Sequence, residues 1–160
     1  MIKIYTIGVY NTTEQSYFDK LVQNHIDLFC DIRQRRGVRG KQYKYVNSQY
    51  LQAKLTELGI PYLYIKELAP TEEIRQKQKR ADKENNETKK QRTELGELFA
   101  NEYGRQILDA FNMDAFVQEL QERDVKNVLF FCVEEYAEAC HRSLVAKRLA
   151  EKLGCEITNL

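Results

Sequence analysis

The chain has 160 residues, of which 42% are hydrophobic and 31% charged, a composition typical of one globular domain with a substantial core. Its 25 basic residues nearly balance its 24 acidic ones, so the net charge of +1 indicates no class of partner. No run approaches the roughly 18 apolar residues of a membrane span, and the first residues are typical of a strand rather than a signal peptide, which predicts a cytoplasmic protein. The four cysteines are expected to be reduced thiols in that compartment.

The first half of the chain alternates strand patterns with helix patterns. In order, it predicts a strand over 2–9, a helix that starts at 12–14, a strand over 28–32, a helix from 47 or 48 to Gly59, and a strand over 61–68. Gly59 is placed to end its helix.

The second half begins with a charged stretch and then continues the alternation. Residues 71–92 contain eight basic and five acidic residues and almost no apolar one, so an exposed helix or a mobile insertion is expected at about 71–95. The remaining predictions are helices over 96–112 and 114–123, a strand over 127–131, a helix over 139–153 and a strand over 155–160. One domain is predicted over residues 1–160.

Strands that alternate with helices predict a single three-layer α/β domain with a mostly parallel sheet flanked by helices. In open sheets of this kind, ligands bind beyond the carboxyl ends of the strands, beside a switch in strand order. We therefore expect the ends of the first, second and fourth strands to converge. Their convergence would bring Gly8, Tyr10, Asp31, Arg33 and Cys132 to one pocket.

The densest group of reactive side chains lies between Cys132 and Arg142, in the turn from the fourth strand to the following helix. It holds two thiols, a histidine, an arginine and three carboxylates. Such groups are costly to bury without a purpose. Cys140, His141 and Arg142 are expected to form the first helical turn, where unpaired N–H groups favour an anion.

Structural interpretations of the same residues stay open. Cys132 is equally typical of a small apolar core residue. Glu134 can close the turn by pairing with Arg142, and Asp31 can form an internal ion pair with Arg33.

The spacing of the thiols and the histidine disfavours a zinc site. Structural zinc sites favour pairs of ligands two to four residues apart, which Cys132 and Cys140 lack, and adjacent Cys140 and His141 are not expected to reach one ion. No metal and no cofactor are therefore predicted. A reactive thiolate at Cys140 or Cys132 remains an alternative because a helix N-terminus lowers a thiol pKa, although a phosphate-cradling loop after Cys140 is missing.

A basic loop follows the second strand. Between Arg33 and Lys44 there are six basic residues and no acidic one. Cations bind phosphates and aromatic rings stack on exposed bases, so the loop predicts a nucleic-acid contact, with a solvated loop as the alternative. The residues assigned to this contact are Arg35, Arg36, Arg39, Lys41, Tyr43, Lys44 and Tyr45.

Five short motifs together resemble one known family. They are Thr6-Ile7-Gly8, Asp31-Ile32-Arg33, Leu58-Gly59-Ile60-Pro61-Tyr62, Cys132-Val133-Glu134 and Cys140-His141-Arg142. In this order they resemble the family catalogued as domain of unknown function 488, over nearly the whole chain. The resemblance implies an α/β domain with these motifs around one pocket. Some relatives look like DNA glycosylases directed at modified bases of foreign DNA.

The chain departs from that family's pattern at three places. Gly8-Val9-Tyr10 stands where the family commonly has Gly-His-Ser, Arg36 and Val38 replace a Pro and a Ser, and Leu68-Ala69-Pro70 replaces Leu-Gly-Gly. No role of the first-motif His or Ser therefore transfers to this chain.

These observations together predict a DNA glycosylase that hydrolyses the N-glycosidic bond of a modified base, with a role in defence against phage DNA. Glu134 and Asp31 are assigned to water activation and oxocarbenium stabilisation, together with His141 as a third catalytic residue. Residues assigned to binding the base or its flanking phosphates are Arg33, Arg142, Gly8, Tyr10, Cys132 and Cys140. The expected partner is duplex DNA with a flipped base, with no membrane and no obligate protein partner.

The same residues are compatible with two other functions. One is a nucleic-acid-binding module without catalysis, and the other is a thiol-dependent enzyme that uses Cys140 or Cys132.

Overall fold

A computed structural model of the protein describes residues 1–88, 91 and 95–160. Five strands form one sheet in these ranges: β1 (Lys3–Ile7), β2 (Leu28–Asp31), β3 (Tyr62–Tyr64), β4 (Asn127–Phe131) and β5 (Ile157–Asn159). The helices are α1 (Glu14–Gln23), α2 (Ser48–Glu57), α3 (Glu72–Glu84), α4 (Glu97–Tyr103), α5 (Met113–Glu122) and α6 (His141–Leu153). None of these helices has the length and apolar character that crossing a membrane requires.

The sheet is parallel throughout, with the strand order β3-β2-β4-β1-β5. The chain moves outward from β1 to β3 and then returns to place β4 between β2 and β1. Because crossovers between parallel strands are right-handed, this reversal places α1 and α2 on one face and the later helices on the other. Two separate apolar clusters, one on each face, result. The predicted three-layer α/β domain is confirmed.

The central strand β4 is apolar along its length because both of its faces are covered. Val128 through Phe131 are fully buried, with Phe130 in the α4–α6 cluster and Phe131 in the α1–α2 cluster. A continuous apolar run is what a parallel strand covered on both faces needs. The neighbours of β4 are β2 and β1, so the carboxyl ends of these three strands lie side by side, as predicted.

Helix ends follow the local signals in the sequence. The Thr13 hydroxyl accepts the Ser16 N–H at 3.1 Å and the Ser16 hydroxyl accepts the Thr13 N–H at 3.0 Å, which caps α1 in both directions. Gly59 and Gly154 follow α2 and α6 with positive φ angles of 70° and 65°, which glycine adopts without strain.

The strands predicted over 2–9 and 155–160 are shorter than expected, at Lys3–Ile7 and Ile157–Asn159, and three further boundaries differ for structural reasons. The strand predicted over 61–68 is paired only at Tyr62–Tyr64, because Lys66–Leu68 turns into a short 3₁₀ segment at the sheet edge. The helix predicted over 96–112 is α-helical only in α4 and continues as a π turn over Gly104–Leu108. The last helix begins at His141, two residues after the predicted start, and Cys140 is its extended N-cap.

The charged stretch is less solvated than its composition predicts. α3 packs against α4, and the Ile74 side chain is fully buried in the core. The buried Gln78 amide donates to Asp82 at 2.7 Å and accepts the Gly96 N–H at 3.2 Å, which joins α3 to the start of α4. Residues 89, 90 and 92–94 of the predicted insertion lie outside the described residues.

Candidate functional site

The Arg142 side chain fixes the backbone of the turn that follows β4. Its fully buried guanidinium donates to the Glu134 carbonyl at 2.7 Å and to the Glu135 carbonyl at 3.1 Å. Val9 and Tyr10 donate their N–H groups to the Val133 carbonyl from the other side. The Arg142 guanidinium therefore fixes the backbone of the turn and is not among the described residues that line the adjoining cavity, so a contact between Arg142 and a base or phosphate stays a prediction.

Gly8 lies where the β1 end and this turn touch. A β-carbon on Gly8 would lie 1.8 Å from the Glu134 carbonyl oxygen and 3.1 Å from Nη2 of Arg142. Glycine is required there because two backbone segments approach closely, a reason that differs from the predicted contact with a substrate.

Two thiols and an imidazole converge behind the turn. The Sγ atoms of Cys132 and Cys140 and a ring nitrogen of His141 all lie within 4.8 Å of one another, and all three residues are buried. Cys140 Sγ is 3.7 Å from His141 Nδ1, while His141 Nε2 donates to the Ile32 carbonyl at 2.8 Å. The argument that adjacent Cys140 and His141 cannot face one point is therefore wrong.

The dihedral angles at the helix start explain this convergence. Cys140 is extended, with φ −134° and ψ 145°, and His141 begins the helix. Between Cys140 and His141 the backbone changes from extended to helical, so neither the alternation of a strand nor the spacing of a helix fixes their relative directions. Both side chains point back toward the end of β4.

The contacts within the cluster shift its acid–base equilibria. A hydrogen bond from Cys140 lowers the pKa of the Cys132 thiol to about 5, although burial opposes this change. Burial raises the pKa of Cys140, and its hydrogen bond to Cys132 raises that pKa further. Burial lowers the pKa of His141, but Cys132, Glu134 and the Ile32 carbonyl together outweigh burial and hold that pKa above its usual value.

Asp31 is engaged in a buried ion pair. Its carboxylate accepts Nε of Arg33 at 2.9 Å, Nη2 of Arg33 at 2.7 Å and the Tyr62 hydroxyl at 2.7 Å. Asp31 is fully buried and is not among the described residues that line the adjoining cavity. The structural interpretation of Asp31 as the partner of Arg33 is confirmed, and its burial away from the cavity gives no support to the predicted role in water activation.

A cavity of about 1210 Å³ opens at the carboxyl edge of the sheet. Its sheet side is lined by Tyr10, Arg33, Cys132, Val133, Glu134 and His141. Arg33 is 3% exposed and lies over the Phe131 ring at 4.6 Å, and its Nη1 has no hydrogen-bond partner among the described residues. The predicted convergence of three strand ends at one cavity is thus present in the structure, without Asp31.

The two tyrosines of the basic loop are both buried in the core, and Tyr43 also lines the cavity. Tyr43 is 5% exposed and Tyr45 3% exposed, and both belong to the α1–α2 cluster. The Tyr43 hydroxyl accepts the Asn11 N–H at 2.9 Å, and the Tyr45 hydroxyl bonds to Thr12. Tyr10, which is half-buried and packs against Tyr43, is the better-placed ring on the cavity wall.

The basic side chains of that loop divide into two groups. Arg35 and Arg39 are exposed and line the cavity. Arg36 instead lies over the Tyr64 ring at 4.1 Å, while the exposed Lys41 and Lys44 do not line the cavity. Of the residues predicted to contact nucleic acid, Arg35, Arg39 and Tyr43 line the cavity, and the contact itself stays a prediction.

The opposite wall of the cavity comes from α3. Arg75, Lys79 and Lys83 contribute cations to it, and Arg75 Nη1 donates to Gln34 Oε1 at 2.5 Å, which ties α3 to the basic loop. Composition alone predicts a solvated helix here because the stretch has so few apolar residues. The spacing of 75, 79 and 83, which places the three cations on one helix face, is the sequence signal that indicates this wall.

The comparisons with known proteins agree with the sequence motifs. The family described as Domain of unknown function DUF488 matches residues 13–149. The chain belongs to this family. The match includes the Asp31–Arg33, Cys132–Glu134 and Cys140–Arg142 motifs, whereas Gly8 and Tyr10 precede it. No curated protein and no solved structure matches the chain.

Proposed function

We propose that this DUF488 protein is a DNA glycosylase, and that it removes a modified base to leave an abasic site. The observation that carries the proposal is the position of Glu134, a buried carboxylate on the wall of a large cavity whose lining holds six basic side chains and three acidic ones besides Glu134. Basic residues reach the rim of the cavity from the loop after β2 and from α3. Of the motifs that resemble the family, Arg33, Cys132, Val133, Glu134 and His141 line the same cavity, and some relatives in that family look like DNA glycosylases.

The size of the cavity fits a flipped nucleotide. Pockets for small organic ligands are typically about 300–1,000 Å³, so a cavity of about 1210 Å³ leaves room for a base that carries an extra group. Flipping a base out of a duplex costs on the order of a few kcal/mol, which contacts in the pocket and to the phosphates offset. Modified bases of phage DNA are the class that this extra room favours.

The proposed reaction needs one carboxylate. Glu134 accepts a proton from water, and the water oxygen bonds to C1′ of the sugar while the C1′–N bond breaks. The electron pair of that bond leaves with the base nitrogen, which takes up a proton. The products are a free base and an abasic sugar, so one water molecule is consumed in each turnover.

Arg33 and Tyr10 are placed to hold the base. The unpartnered Nη1 of Arg33 offers a donor at the cavity wall, and Asp31 and Phe131 fix the rest of that guanidinium. The Tyr10 ring offers a stacking surface.

The decisive experiment incubates the protein with oligonucleotides that contain a panel of modified bases and looks for alkali-labile sites and free base. Glu134→Gln is expected to lower the rate by about 10²–10⁴-fold, because it removes a general base but keeps the shape of the side chain. The matched control is Glu138→Gln, an exposed carboxylate in the same turn, which is expected to retain activity. Absence of product across the panel, or full activity of Glu134→Gln, contradicts the proposal.

DNA binding is tested separately at the rim. Replacing Arg35 and Arg39 together by Ala is expected to weaken binding and to make it less sensitive to salt, by about one unit of slope for each phosphate that the variant no longer neutralises. Arg123→Ala with Lys126→Ala, at the amino end of β4, is the charge-matched control. Salt-dependent binding without any product favours the alternative of a non-catalytic nucleic-acid-binding module.

A thiol-dependent enzyme remains the second candidate, because Cys132 lines the same cavity and lies beside His141. This candidate predicts that Cys132→Ser abolishes an activity which Glu134→Gln retains. The opposite pattern of activities excludes it. Cys155→Ser, outside the cavity, is the control for removal of a thiol.

A further inference from the structure

We propose that Cys132, Cys140 and His141 form a binding site for a zinc ion, with a fourth coordination position open to the cavity. This proposal concerns metal binding by the protein alone, so its test does not depend on the proposed glycosylase activity. It rests on three observations: the separations of the ligand atoms, the orientation of the imidazole, and the side on which the cluster meets the cavity.

The separations of the ligand atoms suit one tetrahedral ion. Zn–S bonds of about 2.3 Å and Zn–N bonds of about 2.05 Å imply S···N separations of about 3.6 Å and S···S separations of about 3.8 Å. Cys140 Sγ and His141 Nδ1 are 3.7 Å apart, and all three ligand atoms lie within 4.8 Å of one another. An ion therefore fits between them with only small side-chain movements.

The imidazole is already oriented as a ligand. His141 Nε2 is 2.8 Å from the Ile32 carbonyl, which can only accept, so the proton must be on Nε2. In the neutral ring the lone pair is then on Nδ1, the atom that faces the thiols. A metal-binding histidine commonly donates its other N–H to a backbone carbonyl in this way, which fixes the tautomer and the plane of the ring.

Charge balance also favours a metal in this buried position. Two thiolates and one Zn²⁺ sum to zero, and binding releases to the solvent the protons that the thiols and the imidazole still carry. A soft thiolate pair with one imidazole is a donor set that zinc prefers and that magnesium and calcium do not. A neutral cluster avoids the free-energy cost of leaving an isolated thiolate in the interior.

The coordination shell is incomplete on the side of the cavity. Cys132 and His141 line the cavity, whereas Cys140 lies behind them against the core. Three protein ligands with an accessible fourth position are typical of zinc sites that bind water or substrate, while structural sites are closed by four protein ligands. The ion would thus meet a bound molecule in the same cavity as Glu134, which follows Cys132 by two residues.

The first test measures the metal directly on the full chain. Protein purified under reducing conditions without chelator is expected to contain about one zinc per chain by elemental analysis. Co²⁺ added to the metal-free protein is expected to produce thiolate-to-cobalt charge-transfer absorption and the intense visible bands of a tetrahedral site. Removal of the metal with a chelator is expected to lower the melting temperature of the wild-type protein.

Single substitutions then assign the ligands. Cys132→Ser, Cys140→Ser and His141→Ala are each expected to weaken metal binding by on the order of 100-fold or more. Cys155→Ser and Cys30→Ser keep the metal, because these thiols lie outside the cluster. Circular dichroism checks that each variant is folded.

Three results would overturn the proposal. One is folded, reduced wild-type protein that retains no zinc and gives no tetrahedral cobalt spectrum at one equivalent. Another is full metal content in folded Cys132→Ser and Cys140→Ser. The third is a Cys132–Cys140 disulfide, detected by mass spectrometry of protein freshly isolated with alkylation, which would assign the pair to redox chemistry. The cobalt spectrum of the wild type decides the question even where a variant fails to fold.

Discussion

At the scale of single residues, several residues of the motifs that resemble the family make contacts within the protein that fix the backbone or another side chain. Arg142 holds two carbonyls of the turn after β4, and Gly8 makes room for one of them. Asp31 fixes Arg33, which alone of that pair reaches the cavity. Glu134 and the Cys132 thiol are the groups that the turn presents to the cavity.

Gly8→Ala is expected to destabilise the fold by about 2–3 kcal/mol or more. The new β-carbon would lie 1.8 Å from the Glu134 carbonyl oxygen, a backbone atom that Arg142 holds in place. Gly104→Ala is the control: its β-carbon meets nothing within 4 Å and its backbone is helical, so a gain of about 0.5–1 kcal/mol is expected. Urea unfolding measures both changes. Equal stabilities of wild type and Gly8→Ala would disprove the close approach.

Asp31→Asn is expected to cost about 3–5 kcal/mol, because it leaves the buried Arg33 guanidinium without its charge partner. The comparison is Glu57→Gln, which breaks an exposed pair with Lys54 and should change the free energy of unfolding by less than about 0.5 kcal/mol. Both values come from denaturant unfolding at neutral pH. Similar small effects of the two changes would show that the Asp31–Arg33 pair does not anchor the fold.

At the scale of elements, α3 and the start of α6 build the cavity. α3 carries cations on the side that faces the basic loop and one apolar anchor on the side that faces the core. The start of α6 turns two adjacent residues toward the end of β4. Strand propensities and helix caps predict most elements, but they do not show that a polar helix closes a cavity.

Ile74→Ala tests whether α3 is anchored. The side chain is fully buried against the α4–α6 face, so a loss of about 2–4 kcal/mol is expected. Leu98→Ala on α4 removes a side chain that is 59% exposed and should cost less than about 0.5 kcal/mol. Thermal and chemical unfolding give both numbers. A negligible loss for Ile74→Ala would mean that α3 is a solvated insertion after all.

At the scale of the whole molecule, the strand order places the most buried strands and the candidate site together at the centre of the sheet. β4 lies between β2 and β1, and the cavity opens over the carboxyl ends of these strands. The short edge strands β3 and β5 are only partly covered. The site is therefore built on the most rigid elements, with α3 as its outer wall.

Hydrogen exchange followed by mass spectrometry is expected to reflect this arrangement. Amides of β4, β1 and β2 should exchange slowest because they are paired on both sides and buried, while those of β3 and β5 should exchange earlier. α3 should open before α6, since α3 packs against α4 and has three buried residues, whereas α6 packs on the sheet and has seven. Equal protection of α3 and α6 would argue against local opening of the cavity wall.

Local sequence patterns are enough to predict the α/β class, the order of the elements, most helix ends and the three strand ends that carry the motifs. These features depend on periodicity and caps within a few residues, as at Thr13, Gly59 and the apolar run of β4. The contacts between polar atoms, in contrast, are visible only in the folded protein. The pairing of Asp31 with Arg33, the burial of Tyr43, and the convergence of Cys140 with His141 depend on packing between distant segments and on the extended dihedral angles of Cys140. No local sequence pattern predicts such contacts, because the residues that stabilise them lie far away in the chain and come close only in the folded protein.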